Sequence, residues 1–336
     1  MIERTTLVGA IAVVAAMASL ATAAPVALNL QAEWRADQGI TQQGTDGNPN
    51  AVETADTWDD VQAGTNEWTA VDEAGLPGND WNLVPTGATG VPFPDVAISK
   101  PDTSIAAAYF QHGPVVAGSS NAGQPVTFEM WFRSNLDSPP DPFVLFETGA
   151  SANGASMTIG DGGVIGDDDG AGRNDDLRFV LGGNNTAPDR SITVDMPNDW
   201  DEHFVHIVGV YNSTGAGDMA IYLDGVVADQ LALADQTTGI IWEGGADAGM
   251  FGDFGNGTGA VGNDGDGTDD ADEPFVNQQG LADTWPAAAV GIFRWYDRGL
   301  TPVEVAANYN GELVPEPATL TLIGMGGLLM VRRRRA

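Results

Sequence analysis

Residues 200–228 read WDEHFVHIVGVYNSTGAGDMAIYLDGVVA. Successive side chains of a strand point to opposite faces. From Phe204 to Tyr211 both faces are apolar: Phe204, His206, Val208 and Val210 on one, Val205, Ile207 and Tyr211 on the other. Such a segment belongs at the centre of a sheet or between two layers. Asn212 to Asp218 is a run of turn formers. Met219, Ile221 and Leu223 then share one face of a second strand. Asp224-Gly225 supplies the positive φ angles of a type I′ hairpin, which leads into Val226, Val227 and Ala228. The stretch therefore predicts two neighbouring central strands of a β-sandwich.

Composition agrees. The chain has 336 residues, 44 of them Gly and 19 Pro, a ratio that favours many short strands and turns over helices. Its 43% hydrophobic content is ample for a core. There is no cysteine, so disulfides, thiol nucleophiles and Cys-ligated zinc are excluded. Net charge is −34. With Glu3, Glu316, Arg4 and Arg332 to Arg335 set aside, the 47 acids and 13 bases fall to 45 and 8, leaving −37 for residues 24–314. A body so acidic repels nucleic-acid phosphates and anionic lipid heads and suits high salt, divalent cations or cationic partners.

Outward from the hairpin, the alternation is clearest at Pro125 to Arg133, PVTFEMWFR, with Phe128, Met130 and Phe132 opposite Thr127, Glu129, Trp131 and Arg133. Further strands are expected at Val26 to Trp34, Ser104 to Phe110, Phe143 to Thr148, Ala155 to Ile159, Leu177 to Leu181, Ile192 to Val194 and Ala288 to Tyr296. Residues 35–100 read as irregular with short strands, and Trp58, Trp68 and Trp81 there as core or loop anchors, or else as stacking platforms for sugar rings. Thr301-Pro302-Val303-Glu304 is a capping box, predicting a helix to about Asn310.

Two segments resemble one family. W-x-x-H-x-x-H-I-V-G-V-Y…M-A-I-Y-L-D-G-V, with the T-F-E-M-W-F strand, is similar to LamG-like (concanavalin A-like) domains. G-I-F-R-W-Y-D-R-G-L-T-P-V-E-V resembles their closing element. The resemblance covers residues 104–310 and implies an antiparallel jelly-roll sandwich, all-β, with one short C-terminal helix.

Both ends read as targeting segments. Residues 1–23 have Arg4, an apolar run from Leu7 to Leu20 and the small-residue end Ala21-Thr22-Ala23, and read as a secretory signal cut after Ala23. Residues 24–313 are then the domain. Residues 314–336 carry Pro315-Glu316-Pro317, an apolar segment over 318–331 and four arginines. This resembles the PEP-CTERM sorting signal. The resemblance implies an exosortase-type protease as processing partner and delivery to a bacterial surface or exopolysaccharide matrix. Before processing, the terminal apolar helices would anchor the chain in the membrane, with the arginines on the cytoplasmic side.

Chemistry is sparse. Two acidic Gly-rich loops offer carboxylates for Ca2+: Asp167, Asp169 and Asp175 in one, Asp264, Asp266, Asp269, Asp270 and Asp272 in the other. Calcium takes six to eight oxygens, roughly, from flexible backbone and carboxylates. The second loop lacks the EF-hand register, and a solvated acidic loop is the competing reading. His203 and His206 are expected on opposite strand faces, not on one metal. Glu129 and Glu147 stand isolated on different strands, and no Glu-x-Asp-x-x-Glu run, Gly-x-Ser-x-Gly elbow or phosphate loop is present. The expected function is an exported, non-catalytic surface or matrix protein whose jelly roll binds an exopolysaccharide or surface protein. The alternatives are a polysaccharide-active hydrolase or lyase on the same fold and a calcium-stabilised matrix protein.

Overall fold

A computed structural model describes residues 26–42, 55–62, 67–71, 82–87, 93–100, 109–112, 124–134, 143–148, 155–159, 176–181, 190–197, 199–212, 218–232, 248–250 and 288–313. They form two antiparallel sheets and one helix. The first sheet runs in the order β15 (Val226–Ala232), β14 (Asp218–Leu223), β13 (Val205–Asn212), β8 (Val126–Ser134), β17 (Ala288–Tyr296), β6 (Val96–Lys100), β5 (Asn82–Pro85). The far side of β17 is shared: residues 288–290 pair with β6, and residues 292–296 pair with β1 (Leu30–Arg35). The second sheet runs β12 (Arg190–Asp195), β11 (Asp176–Leu181), β10 (Ala155–Ile159), β9 (Phe143–Thr148), β16 (Ala248–Met250), β7 (Tyr109–His112), β4 (Glu67–Val71), β3 (Ala55–Asp59), β2 (Ile40–Gln42).

The 200–228 reading is met. Ile207 to Asn212 of β13 pair with β14, and Val205 to Tyr211 pair with β8 on the other side. Asp224 and Gly225 have φ of 50° and 77°, the two positive values of the I′ turn. Val205, Ile207 and Tyr211 join the core between the layers, with Phe128, Met130, Phe132, Phe146, Met157, Phe179 and Phe293. Val208 and Val210 face outward into a second apolar cluster with Tyr296, Leu300 and Val305. Helix α1 (Pro302–Leu313) covers that outer face.

Gly209 lies where the two layers approach closely. A Cβ there would meet the Met157 methyl at 2.5 Å and the Phe179 ring at 3.0 Å.

Several boundaries differ from the sequence reading. The first strand begins at Leu30, not Val26, because the Leu30 amide donates to the Ala27 carbonyl and Asn29 turns the chain at φ 58°. Residues 35–100 contain β2 to β6, whose partners include β7 and β17, remote in sequence and therefore invisible to local patterning. Trp58 and Trp68 are fully buried core anchors, and the Trp58 indole N–H donates to the Arg35 carbonyl. Helix α1 continues past Asn310 to Leu313. At its start the Thr301 amide and hydroxyl donate to Glu304, and Arg298 adds a bidentate pair at 2.8 and 2.9 Å, holding the Glu304 carboxyl at about 2. No described helix is long and apolar enough to cross a membrane. The terminal apolar helices, Trp81 and residues 104–108 of the expected Ser104 to Phe110 strand lie outside the described residues.

Gly209→Val should leave the topology intact but destabilise the domain by about 1–3 kcal/mol through overpacking between the layers, read as a lower midpoint in chemical denaturation.

Candidate functional site

On the outer face of the first sheet, register sets three charges in a row. Glu33 of β1 lies opposite Arg294 of β17, and Arg294 lies opposite Glu129 of β8. Alternation puts all three on the face away from the aromatic core, where Trp34, Phe293, Trp295, Phe128 and Met130 point the other way. Helix α1 closes the row from above with Glu312 and Asn308.

The Arg294 guanidinium is wholly buried. Its Nε and Nη2 donate to Glu33 Oε1 at 2.9 and 2.8 Å, and its Nη1 to Glu129 Oε1 at 2.8 Å. Nη2 also donates to Glu312. Arg35, two residues along β1 from Glu33, sends both terminal nitrogens to Glu312 at 3.0 and 3.2 Å. Asn308 donates to Glu129 at 2.6 Å and to the Tyr296 hydroxyl at 3.0 Å. His206 Nε2 lies 3.1 Å from Glu129.

Burial alone would raise the Glu129 carboxyl. The Arg294 charge, His206 and Asn308 outweigh it and hold Glu129 at about 2. Glu33 is lowered the same way, against burial, by Arg294, Arg35 and Gln62. Burial works against the charge of Arg294 too, and its three carboxylates overcome it and raise its pKa. The Tyr296 hydroxyl is raised by burial and by Glu129. Glu33 and Glu129 are therefore committed acceptors at neutral pH, not proton donors.

Beside this row the cluster reaches the surface. A recess of about 490 Å³ is lined by Glu33, Arg35, Asp37, Gln38, Gln62 and Glu312, with Ala27, Leu30 and Val61. Its wall is strapped to β1: Asp60 accepts from the Glu33 and Gln62 amides, the Val61 amide donates to the Glu33 carbonyl, and Gln62 Nε2 donates to Glu33 at 3.0 Å. The recess thus has an ion-paired floor and an open polar rim at Asp37 and Gln38. It suits a hydroxyl-rich or charged group that hydrogen-bonds at the rim.

The structure corrects the reading of Glu129. It is not an isolated carboxylate but the inner member of the row. Glu33, Arg35, Arg294 and Glu312 carry no sequence signal of a site, because strand register and α1 bring them together. His203 lies before β13 and only His206 is in the strand. The two His203 ring nitrogens lie 3.7 and 4.0 Å from Asp199 and Asp224, on opposite sides of the ring. Among the described residues no group of three or more His, Asp or Glu side chains is placed to hold a metal ion; the carboxylates that do converge enclose the Arg294 guanidinium. The loops carrying Asp167, Asp169 and Asp175, and Asp264, Asp266, Asp269, Asp270 and Asp272, lie outside the described residues, as do Pro315, Glu316 and Pro317.

Residues 107–258 match the family model of the concanavalin A-like lectin/glucanases superfamily, and residues 313–335 match that of the PEP-CTERM protein-sorting motif. Residues 107–258 are thus a LamG-like segment, and the chain carries a PEP-CTERM motif behind its helix. Its sandwich extends the matched segment on both sides, with β1 and β17 supplying the strands that hold Glu33 and Arg294. No curated protein matches the sequence. Among solved structures, the receptor-binding domain of botulinum neurotoxin type G superposes with a TM-score of 0.47 at 9% identity, covering 84% of this chain and 51% of that one. The serotype C1 binding domain gives 0.47 at 12% identity, covering 84% and 52%. The neurotoxin DC binding domain, solved with rat synaptotagmin II, gives 0.46 at 10%, covering 82% and 51%. The chain spans about half the length of these structures.

Arg294→Met should cost about 3–5 kcal/mol at neutral pH, because it leaves buried carboxylates uncompensated. The pH dependence has a definite sign. In the native chain the stability from Glu129 is present above its unfolded value of 4.5 and is lost as pH falls toward about 2. In Arg294→Met burial raises the carboxyls instead, so protonation relieves the variant and the gap to wild type narrows on acidification. Denaturation midpoints of both chains across that pH range check it; a constant gap contradicts the cluster's role.

Proposed function

We propose that this is an exported, non-catalytic surface or matrix protein whose jelly roll binds a glycan or a protein partner. The observation that carries it is the union, on one chain, of a LamG-like domain with a PEP-CTERM motif. The motif implies export and handling by an exosortase-type protease, with delivery to the cell surface or exopolysaccharide matrix. The committed state of the buried carboxylates supports the non-catalytic reading. Glycoside hydrolysis needs an acid whose pKa is raised near neutrality, whereas Glu33 and Glu129 are both lowered. The recess supplies a polar rim for a ligand, and the acidic body disfavours nucleic acid and anionic membrane surfaces as partners.

Binding of the secreted domain to a panel of exopolysaccharides, beside an assay for released reducing or unsaturated ends, separates binder from enzyme. Binding without turnover is expected, weakened roughly fivefold by Asp37→Asn together with Gln38→Ala through lost rim hydrogen bonds. Turnover of any polysaccharide sinks the non-catalytic reading.

A calcium-stabilised body is the second reading. Its support is the charge of −37 on a cysteine-free domain carrying the two acidic loops described above. Calcium at a hundredfold excess over its Kd should stabilise the fold by about 2.7 kcal/mol. Melting curves with calcium and with chelator test this, and coincident midpoints count against a bound ion.

A further inference from the structure

The recess beside β1 is rich in acceptors and poor in donors. Of the backbone amides around it, that of Leu30 is spent on the Ala27 carbonyl, that of Gln38 on the Arg35 carbonyl and that of Val61 on the Glu33 carbonyl. The amides of Glu33 and Gln62 both go to Asp60 Oδ1. Arg35, the one cation among the described lining residues, is engaged as well. Its Nη1 and Nη2 donate to Glu312 at 3.0 and 3.2 Å, and Nη1 also reaches Glu33 Oε1 at 3.4 Å. Acceptors are left over. Asp37 lies 3.6 Å from Arg35 Nε, outside hydrogen-bonding range, and its side chain is 29% exposed. Glu33 Oε2 accepts from Gln62 Nε2 at 3.0 Å and keeps a second acceptor site.

Charge points the same way. Glu33, Asp37 and Glu312 stand against the single guanidinium of Arg35, three carboxylates to one cation, a formal net of −2 at the recess. The body around it carries −37 over residues 24–314. A matching ligand brings donors and positive charge. A bare metal ion is a poor match, because among the described residues no three His, Asp or Glu side chains are placed to hold one. An organic ammonium needs no such shell. A volume of about 490 Å³ exceeds what one ammonium head fills, and Ala27, Leu30 and Val61 give the recess an apolar wall. A pyranose ring carrying an amine meets all of this. Its carbon face suits the wall, and its hydroxyls are further donors for the Gln38 and Gln62 side-chain carbonyls.

We propose that the recess is a subsite for an amino sugar with an unacetylated, protonated amine: Asp37 and Glu33 hold the ammonium, and the ring rests on Leu30 and Val61. The proposal rests on the reading of the domain as a binder of matrix glycan and names the sugar it selects.

The test is calorimetric titration of the full chain with a glucosamine tetramer, its fully N-acetylated counterpart and tetralysine, in about 0.15 M salt, where fields are screened over about 8 Å. The glucosamine tetramer should bind roughly tenfold tighter than the acetylated one, because acetylation removes the charge, and tighter than tetralysine. Asp37→Asn should weaken it roughly tenfold, the scale of one charge-assisted hydrogen bond, and weaken the acetylated tetramer less. Asp229→Asn is the control. It removes the same charge from exposed β15, five strand spacings from β1 across the sheet, about 24 Å at the ordinary separation of strands, and should leave the affinity unchanged. Equal affinity for the two sugar tetramers overturns the amine selection while the glycan-binding reading stands. Tighter binding of tetralysine overturns the assignment to a sugar. Equal losses in Asp37→Asn and Asp229→Asn mean attraction to the acidic body as a whole and overturn the subsite. Failure of all three probes to bind overturns it too, and the exopolysaccharide panel then decides the binder reading by itself.

Discussion

One buried guanidinium organises the outer half of this molecule. Arg294 has no access to water, so its charge has to be met from within the fold. Three carboxylates do so, from β1, β8 and α1. Each comes from a different part of the chain, and each would be costly to bury without Arg294. The arrangement is mutually conditional. The sheet register, the docking of the helix and the ionisation of the glutamates hold together or fail together. Fully satisfied networks of this kind favour a single arrangement over its near alternatives, because a slip of one residue would turn every charge to the apolar face.

The same requirement explains why a β-sandwich carries a helix at this position. The inner face of the first sheet is covered by the second sheet. Its outer face holds both apolar groups, Val208, Val210 and Tyr296, and the charged row. Helix α1 meets both demands, with Val305 on the apolar patch and Asn308 and Glu312 on the row. Tyr309 stacks flat on Trp131, with ring centroids 5.5 Å apart and planes 7° apart, and also lies against His206. The histidine and tryptophan of the family-like strands are thereby accounted for as packing groups under the helix. The polar recess lies instead beside β1, where the row reaches the surface at Glu33, Arg35 and Glu312.

Much of the fold was legible because its signals are local. Val205 to Tyr211 is apolar on both faces, and the strand is covered on both. Asp224-Gly225 requires positive φ, and the turn has it. Thr301 and Glu304 predict the helix start, and their side chains bond as a capping box does. The site was far less legible. Glu129 in isolation looks like any strand glutamate. Its partners lie 165 and 179 residues away, at Arg294 and Asn308, and nothing in a local window connects them. The helix runs past the expected Asn310, through Gly311, a poor helix former, because Glu312 gains its hold from Arg35, Arg294 and the Phe93 amide, all remote in sequence or brought near by the fold.

From sequence alone came the sandwich, its hairpin, the family of the domain and the sorting motif at its end. These follow from periodicity, turn chemistry and contiguous motifs, all of which act over a few residues. Only the tertiary structure decided which carboxylates are spoken for, where a polar recess opens and how the last turn of the helix is fastened to the sheet. Those depend on strand order and register between segments hundreds of residues apart, and a charge has no fixed meaning until its neighbours across the sheet are known.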